Sequence, residues 1–295
     1  MQIPAERRFL VGQKSFAAQE WQLPDAQGRM LPVIGLHGWL DNSATFTRLA
    51  PLLRGVHLMA LDMAGHGQSD HRSADATYNL VEDVGDVIAI ANALGWEKFL
   101  LLGHSRGAAV AMLAAGAFPE RVQGVALIDG IIPLPQKEAD APADLARAVM
   151  DAETYRHKKP RRFASIEIAI EARLRGMFKL SRQAATLLTE RGVRPYENGF
   201  TWSTDPRLMA TSSSKLSVEQ IRAFLGRLDM PVRLLLATEG LSELRAGMQR
   251  VVSGFPGLDV RDVKGGHHLH LEAEAPLVAD ELNGFFTELS EGCAL

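Results

Sequence analysis

The sequence predicts an α/β protein, with a mostly parallel central sheet, helices on both faces and one helical insertion. Two patterns carry that prediction. Short apolar runs bounded by turn residues alternate with longer segments of helical periodicity, as parallel βαβ units require. Between residues 133 and 229 the strand-like runs give way to Ala, Arg, Lys and Glu in helical spacing. The expected division is a core of residues 1–132 and 230–295, with 133–229 inserted as a helical subdomain.

Taken in order, residues 32–37 (PVIGLH) read as a buried strand followed by a loop and a helix over 45–53. Residues 56–62 (VHLMALD) give a second strand, and 64–70 a glycine-rich turn. Over 78–94, Leu80, Val81, Val84, Val87, Ile88 and Ala91 share one helical stripe, and Gly95 ends it. Residues 99–103 (FLLLG) form the third strand, 106–117 a helix of small residues suited to close packing, and 122–129 the fourth strand. After the insertion the alternation resumes with a strand at 231–237, a helix at 242–253, a strand at 259–263 and a closing helix at 275–289. No internal repeat or low-complexity tract interrupts the pattern.

The composition excludes several function classes. With 46% hydrophobic and 23% charged residues and a formal net charge of -3, the chain has no global field for nucleic acid or an acidic membrane. No window reaches the roughly 20 apolar residues of a membrane span. Residues 1–13 carry Arg7 and Arg8 but no apolar run after them, so no ordinary secretory signal is expected. The single cysteine, Cys293, excludes an intrachain disulfide. These features lead to the expectation of a cytoplasmic enzyme acting on a small molecule, without metal or cofactor; oligomeric state is not encoded legibly.

Chemistry enters at Gly103-His104-Ser105-Arg106-Gly107, a G-x-S-x-G match at a strand-to-helix junction, where a nucleophile elbow needs it. A serine hydroxyl is a weak nucleophile without a base. Gly265-Gly266-His267-His268-Leu269-His270 follows the last strand and supplies one. His267 is the expected base, His268 the alternative, and His270 is expected to pack on the closing helix. A histidine-rich metal site is the competing reading, but no carboxylate accompanies the cluster at zinc spacing. The backbone amides of Trp39 and Arg106 are the expected oxyanion donors. Two acids remain open: Asp129, at the end of the strand after the nucleophile helix, and Glu239, after the strand at 231–237. The Arg106 side chain is open to binding a substrate carboxylate, reaching solvent or pairing with an acid of the insertion. The basic run 157–162 (HKKPRR) reads either as an anion contact or as a solvated turn.

Together these segments resemble the α/β-hydrolase family over nearly the whole chain. His37-Gly38-Trp39, the run 62–69 (DMAGHGQS), the elbow and Gly266-His267 stand in the family's order, and residues 37–46 (HGWLDNSATF) look most like the serine-hydrolase-like proteins. The resemblance implies that the insertion is a lid over the active site. Residues 122–133 are similar to the segment of haloalkane dehalogenases that carries their acid, which supports Asp129. Those enzymes, like soluble epoxide hydrolases, attack with an aspartate, whereas a serine would form a stable ether with their substrates. The implied activity is therefore ester-type hydrolysis, with thioester or carbon–carbon hydrolysis using the same groups. A non-catalytic ligand sensor on the same fold is the alternative class. Thr238-Glu239-Gly240 departs from the family in lacking the aspartate usual after that strand.

Overall fold

The computed structural model describes residues 3–240, 246–247, 255 and 257–292. Eight strands form one sheet in the order β1-β2-β4-β3-β5-β6-β9-β10. They are β1 (Ala5–Val11), β2 (Lys14–Leu23), β3 (Leu31–Leu36), β4 (Val56–Leu61), β5 (Phe99–His104), β6 (Val122–Ile128), β9 (Val232–Glu239) and β10 (Leu258–Gly266). From β4 to β10 all neighbours are parallel, while β1 and β2 add an antiparallel edge. The sequence pattern missed this hairpin because β1 is a polar edge strand. Glu6, Arg7 and Arg8 face solvent along it, which also protects the edge from pairing with another chain.

The strands are buried on both faces, so they read as continuous apolar runs, but alternate side chains still enter different cores. Leu101, Leu127, Leu234 and Leu236 join the cluster under α1 (Leu80–Ala93), α2 (Arg106–Ala117) and α6 (Val218–Leu225). Leu100, Leu102, Ile128 and Leu235 join the opposite cluster, which Val278, Leu282, Phe285 and Phe286 of α7 (Ala275–Gly292) cover. The Ala residues along α2, and its Gly residues without side chains, let its backbone lie close to the sheet, and ten of its residues are buried.

Three local expectations need correction. The helix expected at 45–53 is two short 3-10 turns, Ser43–Phe46 and Ala50–Leu52. Pro51 has no N–H to donate to a continuing helix. On α1 Leu80, Val84, Val87, Ile88 and Ala91 lie in or against the core as expected, whereas Val81 is exposed and Asp83 and Ile90 are buried instead. The insertion also contains strands: a hairpin of β7 (Val193–Tyr196) and β8 (Gly199–Trp202), each too short to show a period. The expected helix at 242–253 and Cys293 lie outside the described residues, apart from 246 and 247.

Between β6 and β9 the chain also forms α3 (Ala141–Arg156), α4 (Ile166–Leu174) and α5 (Arg182–Gly192) before α6. Polar ties join this segment to the core. Arg191 Nε donates to both oxygens of the buried Asp62, at 3.1 and 3.0 Å, and Asn42 Nδ2 donates to Leu188 O at 2.8 Å. Among the described residues no helix is long and apolar enough to cross a membrane.

Candidate active site

Ser105 sits between the end of β5 and the start of α2 with φ 51° and ψ -114°, a backbone that residues with side chains rarely adopt. The flanking glycines make the turn possible by close approach. A Cβ on Gly107 would lie 2.2 Å from Leu36 O, and one on Gly103 would lie 2.6 Å from the Ala108 Cα. At the start of α2 the Arg106 amide has no intrahelical acceptor and lies at the positive end of the helix dipole.

His267 Nδ1 donates to Asp129 Oδ2 at 2.6 Å, with the two residues only 8% and 7% exposed. The other carboxylate oxygen accepts from Ala237 N at 3.1 Å, so both Asp129 oxygens are oriented by partners. Asp129 has φ 45°, a second strained position, and its carboxylate occupies the space above Gly240, where a Cβ would come within 2.5 Å of Oδ2. Glu239, the alternative acid, is exposed at the end of β9, and His267 Nδ1 is already engaged by Asp129. His104, the residue before the serine, donates from Nε2 to His267 O at 2.9 Å, and Ser105 N donates to Ile128 O at 3.0 Å beside Asp129. These bonds bring the backbones of Ser105, His267 and Asp129, the candidate nucleophile, base and acid, together at the C-terminal rim of the sheet. Among the described residues Ser105 makes no side-chain hydrogen bond. With Nδ1 occupied, Nε2 is the ring nitrogen left to take the hydroxyl proton.

The Trp39 loop is held by two further histidines, His37 and His66. His37 donates from Nδ1 to Gly38 O at 2.7 Å and accepts from Met63 N at 3.0 Å. His66 accepts from Leu40 N at 3.3 Å, fixing Leu40 at φ 61°. Burial lowers the proton affinity of both rings, so each stays neutral and able to accept. The only signal in the sequence was their place in HG and AGHG turns. The Arg106 side chain takes none of the three expected courses: Nη1 lies 2.6 Å from Asp83 Oδ2 on α1, a core helix.

A family model described as alpha/beta hydrolase fold matches residues 32–274. The chain belongs to the α/β-hydrolase family. A serine hydrolase-like protein of Danio rerio is 31% identical over 94% of this chain and 92% of its own length. The crystal structure of a hypothetical protein from Pseudomonas aeruginosa PAO1 superposes with a TM-score of 0.89, at 42% identity, over 96% of this chain and 99% of that one. Epoxide hydrolase B of Mycobacterium tuberculosis is 33% identical over 120 residues, 38% of this chain and 33% of its own.

In this α/β-hydrolase the other histidines of the loop after β10 have separate duties. His268 Nε2 donates to Asp41 Oδ2 at 2.9 Å. Burial opposes the Asp41 charge, yet the His268 ring and the Arg173 guanidinium outweigh it and hold the carboxyl well below the usual carboxylate range. His270, expected to pack on the closing helix, is fully buried, with its Nε2 2.8 Å from Thr45 Oγ1 and its ring near Phe46. Burial, reinforced by neighbouring rings, pushes His104 and His270 well below ordinary imidazole values. Contrary to the sequence reading, a carboxylate does join these histidines in space, since the ligand atoms of Asp41, His104 and His268 lie within 4.8 Å of one another. The positive charge beside that carboxylate comes from Arg173 Nη1 at 3.3 Å, which disfavours a cation there.

A cavity of about 560 Å³ lies between the core and the insertion, reaching from Trp39, Leu40 and His268 to Lys158, Arg161 and Arg194. Phe178, between α4 and α5, lines it and stacks on the His267 ring, with centroids 4.8 Å apart and planes 24° apart.

Proposed function

We propose that this α/β-hydrolase is a serine hydrolase cleaving a carboxylic ester of a small molecule through an acyl-enzyme. The observation that carries the reading is the buried His267–Asp129 bond beside a strained serine at a helix N-terminus. Ser105 Oγ attacks the carbonyl carbon while His267 Nε2 takes its proton, and Asp129 stabilises the resulting imidazolium. The amides of Trp39 and Arg106 hold the oxyanion. Collapse of the tetrahedral adduct passes the proton from His267 to the departing alkoxide. A water, deprotonated by the same nitrogen, then releases the acid and regenerates the serine. The insertion acts as the cap that closes the cavity, and the proposed setting is the cytoplasm. Thioester and carbon–carbon hydrolysis use the same groups.

One observation favours a second reading, ligand sensing without turnover: Phe178 covers the face of His267. A serine-directed fluorophosphonate probe, together with turnover of short p-nitrophenyl esters, separates the two. Labelling and hydrolysis in the wild type, both lost in Ser105→Ala, are the expected results. A folded wild type that neither labels nor hydrolyses would favour the sensor.

A further inference from the structure

The cavity has two chemically different ends. Its inner wall is apolar, built by the partly buried Trp39, Leu40, Phe178, Leu180 and Trp202, and leads to the Trp39 loop and His268. Its outer wall carries Lys158, Lys159, Arg161 and Arg194, all exposed and none with a carboxylate partner among the described residues. Two of these cations are braced on rings, with Lys158 Nζ 4.9 Å from the Tyr155 centroid and the Arg161 guanidinium 5.0 Å from that of Phe163. The carboxylates in the wall do not offset them. Asp41 is matched by His268 at 2.9 Å and Arg173 at 3.3 Å, and Asp205 by Arg207 at 2.7 Å. A chain of net charge -3 thus concentrates uncompensated positive charge at one end of one cavity. Low-dielectric walls focus such a field inward, and a volume of this size suits a substrate larger than a simple ester.

We infer that the cavity takes an ester or thioester bearing a phosphate or carboxylate remote from its scissile carbonyl, bound by Lys158, Lys159, Arg161 and Arg194. This rests on the hydrolase reading above. The apolar wall takes the chain between the two groups, and the four cations take the anion. They act as a cluster of solvated charges, so their effect is on capture and KM more than on the chemical step.

The test compares matched pairs. Butyryl-N-acetylcysteamine against butyryl-coenzyme A places the anion on the leaving group, and p-nitrophenyl butyrate against mono-p-nitrophenyl adipate places it on the acyl side. In at least one pair the anionic member should have the higher kcat/KM, by about tenfold or more, mostly through KM. That ratio should fall about tenfold in Lys158→Gln/Lys159→Gln/Arg161→Gln, and likewise for the wild type in about 0.5 M NaCl. The pair that shows the effect identifies which side of the ester bears the charge. Equal kcat/KM within both pairs, or a ratio unmoved by both the triple variant and salt, overturns the proposal. Calorimetric binding of the two thioesters to Ser105→Ala gives a readout without turnover. If the wild type hydrolyses nothing but Ser105→Ala binds the anionic thioester about tenfold more tightly, the hydrolase reading fails and the anion subsite stands. Equal binding removes the leaving-group version of the subsite whatever the turnover.

Discussion

Replacing Asp129 by asparagine tests the candidate site where its geometry is most specific. In the wild type the carboxylate accepts from His267 Nδ1 at 2.6 Å, and both groups are more than nine-tenths buried. When Nε2 takes the serine proton, an imidazolium forms against that carboxylate. For unit charges about 4 Å apart at an effective dielectric of about 20, the attraction is about 4 kcal/mol, or about a thousandfold in rate. Asparagine removes this attraction, and its amide can donate to Nδ1, which leaves the proton on Nε2 and abolishes the base. The expected result is a kcat lower by about a thousandfold for a p-nitrophenyl ester with KM little changed, in a protein whose near-UV circular dichroism matches the wild type. Glu239→Gln, at an exposed strand end, should stay within about twofold of wild type. If Asp129→Asn kept more than about a tenth of the wild-type rate, or if Glu239→Gln were the crippled variant, the assignment of the acid would be wrong.

Three further outcomes are expected. Gly240→Ala places a methyl 2.5 Å from Asp129 Oδ2, so it should lower kcat by about tenfold or more while leaving KM and the folded fraction nearly unchanged; steady-state kinetics with a thermal melt would show this. His268→Gln removes the ring that binds Asp41 but leaves Nε2 of His267 in place, so the protein should still label with a fluorophosphonate, whereas His267→Gln should not. Stability should fall on mild acidification, because His66, His104 and His270 are held neutral well below the value of 6.5 that they regain on unfolding. Their contribution is complete above about pH 6.5 and is lost below it, by about 1.4 kcal/mol per ring per pH unit, until each folded-state value is reached. Urea unfolding at about pH 7.5 and 5.5 would read this, and equal stabilities would contradict the neutral assignment.

The parts of the molecule legible from sequence are those whose cause is local. The elbow could be read because an apolar strand, two glycines and a helix of small residues lie within residues 99–117, and β5 and α2 have nearly those bounds. His267 stood out because a glycine pair precedes it where a strand ends. The choice between Asp129 and Glu239 was not local, since it depends on which strand end faces the loop after β10. The neutral supports His37, His66 and His104 were passed over because their partners are backbone groups distant in sequence, such as Met63 N and His267 O. The β1–β2 edge and the β7–β8 hairpin were invisible because a polar edge and four-residue strands carry almost no periodic signal.

The bond from the His104 ring to the carbonyl of His267 fastens two loops of the core to each other without using any atom of the inserted segment. That tie is internal to the core, even though Phe178 of the insertion rests on the same His267 ring. On the proposed hydrolase reading, sequence change at the cavity's exposed cations, Lys158, Lys159, Arg161 and Arg194, would retune what is admitted while Ser105, His267 and Asp129 keep their register. On that reading a new substrate range would be sought first among residues 133–229, with Arg173 and Phe178 kept because they touch Asp41 and His267.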